Sequence, residues 1–121
     1  MDADRIVREF SEAFGRADIE TLMATFADDA IYHNMPMEPA KGKEAIRATI
    51  EGFFKMSPGG VKFEILKQVV TGNFVMNERV DTFVIEGKET AAPVAGAFEL
   101  DDDGKIVAWR DYFDMGAFQA N

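Results

Sequence analysis

Arg79 and Asp81 stand two residues apart in the run NERVD, within a stretch otherwise apolar enough to be a strand. Side chains two apart on an extended chain share a face. A guanidinium is thereby set beside a carboxylate, with Val75 and Phe83 on the same face. Asp111 is a second such position. Alternation through Val107, Trp109, Asp111 and Phe113 puts this carboxylate on the more apolar side of its strand, between two aromatic residues. There it must either keep a proton at a raised pKa or find a cation such as Arg79. Two carboxylates on one arginine can hold opposite protonation states, one as acid and one as base, as bifunctional proton transfer on a small substrate requires. The alternative is a purely structural ion pair, which needs the same residues at the same spacing.

Tyr32 and Asn34 share a face of the segment AIYHNM, with His33 opposite. A phenol and an amide at this spacing can hold a water or a carbonyl oxygen. Met35, Met37, Phe53 and Phe54 offer soft apolar lining, either core or pocket wall.

Other chemistries lack their parts. The chain has no cysteine and one histidine, which removes thiol nucleophiles and leaves too few ligands for a zinc or non-haem iron centre. Neither a GxGxxG nor a phosphate-loop pattern occurs. With 13 Lys+Arg against 22 Asp+Glu, the net charge of −9 disfavours nucleic acid and anionic membrane as partners. No apolar stretch approaches the ~20 residues of a membrane span, and MDADRIVREF is no signal peptide, so a cytoplasmic protein is expected.

The elements that must position these residues follow from apolar spacing. Ile6, Val7, Phe10 and Phe14 mark a first helix ending at Gly15; Asp18 caps a second, through Ile19, Leu22, Met23 and Phe26. A strand is expected over residues 30–35, a third helix over 43–55, and antiparallel strands over 61–71, 74–85, 94–100 and 105–114, joined by glycine turns. The length of 121 residues allows a single domain over 1–121 of α+β class, with three helices packed on one side of a curved, mainly antiparallel sheet.

The stretches YHNMPMEPAKGKEAI, NERVD and AWRDYFD, in this order and spacing, resemble the limonene-1,2-epoxide hydrolase family. The resemblance implies a cone-shaped α+β fold shared with nuclear transport factor 2 and ketosteroid isomerase, with the helices on the concave face of the sheet. It further implies that Asp111 is the general base, Asp81 the general acid and Arg79 the bridge between them, with Tyr32 and Asn34 holding the attacking water. A small or medium apolar epoxide would open to a vicinal diol without a cofactor or metal. Phe83, Phe98 and Trp109 would join Met35, Met37, Phe53 and Phe54 around the substrate. The same fold also hosts isomerases, cyclases and ligand-binding modules. An outer sheet face carrying Val80, Val84 and Tyr112 predicts a homodimer.

Overall fold

A computed structural model of the chain describes residues 1–118; the last three positions of the expected domain lie outside them. Helix α1 (Ala3–Gly15) begins where Asp2 accepts the Arg5 amide at 3.1 Å, and buries Val7, Phe10 and Phe14 along one stripe. Helix α2 (Ile19–Thr25) starts at Asp18, the expected cap, whose carboxylate accepts from the Thr21 amide at 3.2 Å. Between α2 and helix α3 (Lys43–Met56) run strands β1 (Phe26–Asn34) and β2 (Ala40–Lys41). Two residues are too few to leave a periodic signal, and β2 is absent from the sequence expectation. β1 begins four residues before the expected Ala30, because the exposed Asp28 and Asp29 are extended backbone where its pairing is irregular.

Strands β3 (Lys62–Thr71), β4 (Phe74–Ile85), β5 (Lys88–Leu100) and β6 (Ile106–Tyr112) complete the chain, followed by a 3-10 turn at Met115–Phe118. β5 starts six residues before the expected Val94. Pro93 is tolerated inside it because it pairs with Val80 of β4 beyond the point where β6 stops at Ala95, so its missing N–H deprives no second neighbour.

The strands form one sheet in the order β2-β1-β6-β5-β4-β3, antiparallel except for the parallel pair β1–β6. The expected α+β class, with three helices against a mixed, mainly antiparallel sheet, is the one observed. Trp109, fully buried, centres the aromatic core, with ring centroids at 5.1 Å from Phe10, 5.4 Å from Phe98 and 4.0 Å from Tyr32. Such rings contribute through area and edge or stacking geometry together.

Two short links fix the helices over the sheet. Gly60 has φ +110° and lies so close to the end of α1 that a Cβ there would be 2.5 Å from the Gly15 carbonyl oxygen; the next amide, of Val61, donates to Phe14 O at 2.9 Å. At the end of α3 the buried Ser57 hydroxyl donates to Gly60 O at 2.7 Å and accepts the Val84 amide at 2.9 Å. α3 is thereby held against the far half of β4, where Phe53 meets Phe83 edge-on at 5.9 Å.

Candidate active site

The inward residues of β4 run Val75, Asn77, Arg79, Asp81, Phe83, and the odd-numbered face expected from alternation is the inner one. Arg79 is 1% exposed. All five of its N–H donors are occupied. Nε donates to Asp81 Oδ1 at 3.0 Å and Nη2 to Asp81 Oδ2 at 2.8 Å, a bidentate pair along the strand. Nη2 also donates to Asp111 Oδ2 at 2.8 Å, while Nη1 donates to Asn77 Oδ1 at 3.1 Å and Asp111 Oδ1 at 3.3 Å. The Phe63 ring covers the guanidinium, 4.4 Å from Cζ to the ring centroid.

Arg79 sits on β4 and Asp111 on β6, so the bridge must cross β5. It crosses at Gly96, which pairs with Asn77 on one side and Asp111 on the other. A Cβ at Gly96 would collide with Arg79 Nη1 and lie 2.9 Å from Asp111 Oδ1 and 3.0 Å from Asn77 Oδ1. A glycine inside a strand is the sequence signal available for such a close approach.

Asp111 gains a third donor, Trp109 Nε1 at 2.7 Å to Oδ1. Across the parallel β1–β6 pair, Asn34 stands beside Asp111 and Tyr32 beside Trp109. The Tyr32 hydroxyl donates to Asn34 Oδ1 at 3.2 Å. All five polar residues singled out by spacing are therefore brought to one place, and Asn77 joins them.

The charges do not balance: two carboxylates share one cation in a site from which water is largely excluded. Burial pushes the Asp81 carboxyl above its ordinary value; the Arg79 hydrogen bonds and charge oppose this and the charge of Asp111 adds to it. Burial works against the Arg79 cation, but Asp111 and Asp81 outweigh it and the guanidinium holds its proton more firmly than usual. Tyr32, buried and near the negative charge of Asp111, is raised well above a free phenol, so its hydroxyl stays a donor. A single proton on Asp81 would make the cluster neutral.

Above this floor opens a cavity of about 250 Å³. Tyr32, Asn34, Asp81 and Asp111 reach it; Arg79 does not, lying behind Phe63. The walls are mostly rings and thioethers, among them Phe53, Phe63, Phe83, Phe113, Met37 and Met56, with aliphatic side chains and Thr90 beside them. Of the expected lining, Met37, Phe53 and Phe83 are there. Met35 stands off the cavity, 37% exposed, because alternation past Asn34 turns it outward. Phe54 packs its edge on Phe14 at 5.7 Å from the neighbouring face of α3. Phe98 and Trp109 are fully buried in the core, stacked at 5.4 Å, and Trp109 serves the site through its N–H. Among the described residues no three His, Cys, Asp or Glu side chains are grouped to hold a metal, and no helix is long and apolar enough to cross a membrane.

Comparison with known proteins gives the family and the fold. Residues 7–109 match the SnoaL-like domain family. The epoxide hydrolase EphG of Mycobacterium tuberculosis is 32% identical over 111 residues, which are 90% of this chain and 71% of that protein. A solved M. tuberculosis LEH-like epoxide hydrolase superposes with a TM-score of 0.80 at 32% identity, over 95% of this chain and 84% of the other. A ketosteroid isomerase-like fold from Catenulispora acidiphila, solved with trimethylamine, superposes with a TM-score of 0.81 at 23% identity, over 93% of this chain and 87% of that one, and speaks for the fold alone. The chain belongs to the SnoaL-like family of the nuclear transport factor 2-like fold, in the company of the limonene-1,2-epoxide hydrolases.

Proposed function

We propose that the protein is an epoxide hydrolase that adds water directly to a small or medium apolar epoxide to give a vicinal diol. The observation that carries this reading is that Asp81 and Asp111, both open to the same apolar cavity, are joined behind it by one arginine. A water lodged between Asp111, Asn34 and Tyr32 gives a proton to Asp111 as its oxygen attacks a ring carbon. The C–O bond of the epoxide breaks, and Asp81 passes its proton to the departing oxygen. The cluster begins and ends with one proton, moved from one carboxylate to the other, and its charge is unchanged. Because Arg79 does not release a proton, the reset runs through water or the product hydroxyl. Positioning and paired acid–base transfer supply the acceleration. Arg79 is a positioning residue, since it does not reach the cavity.

The test is hydrolysis of limonene, styrene and cyclohexene oxides in ¹⁸O-labelled water. One labelled oxygen per diol is expected; an unlabelled product would indicate isomerisation or internal ring closure instead. Equal, slow turnover by the native protein, Asp81→Asn and Asp111→Asn would sink the proposal.

Self-association through the outer sheet face is part of the same reading. Val69, Met76, Val84 and Tyr112 are exposed there, at 67%, 40%, 45% and 44%. Light scattering that found a monomer at micromolar concentration would remove it.

A further inference from the structure

The mechanism above makes no use of Asn77, which is 4% exposed and touches the centre of the cluster. Its amide can face only one way. Gln68 Nε2 donates to the Asp4 carbonyl at 3.1 Å and to Asp4 Oδ1 at 2.8 Å, both of which can only accept. That turns the Gln68 carbonyl toward Asn77, whose Nδ2 donates to Gln68 Oε1 at 3.0 Å. The Asn77 carbonyl is left facing Arg79, which can only donate. The two ends of this chain of bonds, a helix residue at the surface and a buried guanidinium, demand the same polarity.

A register shift makes the arrangement possible. Ile65 pairs with Arg79 and Lys67 with Glu78, so Leu66 is an extra residue and Gln68, opposite Asn77, comes to the inner face. Regular alternation from Ile65 would have brought Lys67 there instead.

We propose that Asn77, oriented by Gln68, is a positioning residue that sets how many protons the two carboxylates share. It fills the last N–H of Arg79 with a neutral acceptor, so that the guanidinium charge is divided between Asp81 and Asp111 and no third anion. The charged groups about Asn77 are Arg79 on its own strand, Asp111 across Gly96, and, behind Gln68, Asp4 with its partner Arg8. An anion in the place of Asn77 would press on Asp111 through the shared Nη1 and raise the proton affinity of the whole cluster.

The kinetic part of this inference rests on the epoxide hydrolase reading; the titration part does not. The experiment compares the native protein with Asn77→Asp, Asn77→Leu and the milder Gln68→Met. It reads the carboxyl titrations by ¹³C NMR without substrate, kcat and KM for styrene oxide across pH, and Tm. Asn77→Asp is expected to move the cluster titration up by about one pH unit or more and carry both limbs of the kcat/KM profile with it. Asn77→Leu and Gln68→Met are expected to lower kcat, the former by about tenfold, with KM within about threefold and no upward movement of the limbs. If Asn77→Asp shifts the titration but the native protein opens no epoxide, the functional reading fails and the inference stands. If epoxides are hydrolysed and the variants lower Tm alone, leaving titration and profile in place, Asn77 is structural and the inference is overturned.

Discussion

Gly96 and Arg79 are sterically complementary: the guanidinium Nη1 occupies the space that any side chain at position 96 would need. The bridge from β4 to β6 exists because the strand between them presents only a hydrogen there. Gly96→Ala should therefore displace Arg79 from Asp111 while leaving the backbone conformation allowed. We expect a loss of about 1–3 kcal/mol in stability from overpacking, and a fall in kcat/KM of about a hundredfold from misalignment. Denaturant melts and epoxide turnover on the same preparation check both figures.

Asp81 gives the pH dependence its sign. Its carboxyl lies above the unfolded value because it is buried, so the folded protein binds a proton that the unfolded chain has released. The stability linked to this proton is fully present below the unfolded pKa and is lost as pH rises through the folded one. Asp81→Asn has no such loss, so its Tm should gain on the native protein as pH rises across that window. In its proposed role as the acid, Asp81 must also hold its proton to act, so native kcat/KM should decline on the alkaline side and Asp81→Asn should fall by about 10²- to 10⁴-fold. A native Tm whose pH course parallels that of the variant would count against this assignment.

Trp109 holds Asp111 by one bond and the core by its rings. Trp109→Phe keeps an aromatic against Tyr32 but removes the donor to Asp111 Oδ1. A cost of about 1–3 kcal/mol is expected from the lost bond and volume, with a roughly tenfold lower kcat for styrene oxide and little change in KM. A drop in KM-linked binding with kcat intact would instead place Trp109 at the substrate.

The cavity walls are mostly apolar, with Thr90 the one hydroxyl outside the polar floor among the described lining residues. An epoxide carrying a hydroxyl on its short side chain must desolvate it against these walls. Styrene oxide should therefore exceed glycidol in kcat/KM by at least about tenfold, the penalty for burying an unpaired polar group. Equal efficiencies would mean that this cavity does not receive the substituent.

Alternation put Tyr32 and Asn34 on one shared face and Arg79, Asp81 and Asp111 on inward faces, because each lies where its strand keeps regular register. It could not tell depth along a face. On β4, β5 and β6 the inner residues pass from core to polar layer to cavity: Val75, Arg79, Phe83; then Phe98, Gly96, Val94; then Trp109, Asp111, Phe113. Phe98 and Trp109, expected around the substrate, lie in the core layer instead, and a period of two, which gives the face and nothing about position along it, could not have told the two layers apart. Gln68 was illegible for another reason: the extra residue at Leu66 reverses the parity of β3, and nothing in the local sequence announces it.

β6 comes last of the strands in the chain but lies inside the sheet, between β1 and β5. Before it inserts, a growing chain presents two separate open edges, one on the Tyr32 strand and one on the glycine strand, each able to template a foreign strand. The contacts that close this gap join residues near 32 to residues near 110, a long loop whose closure makes for slow, late assembly. The amides of β6 should consequently exchange with solvent only through global unfolding, and partly made chains should aggregate before they can bind anything.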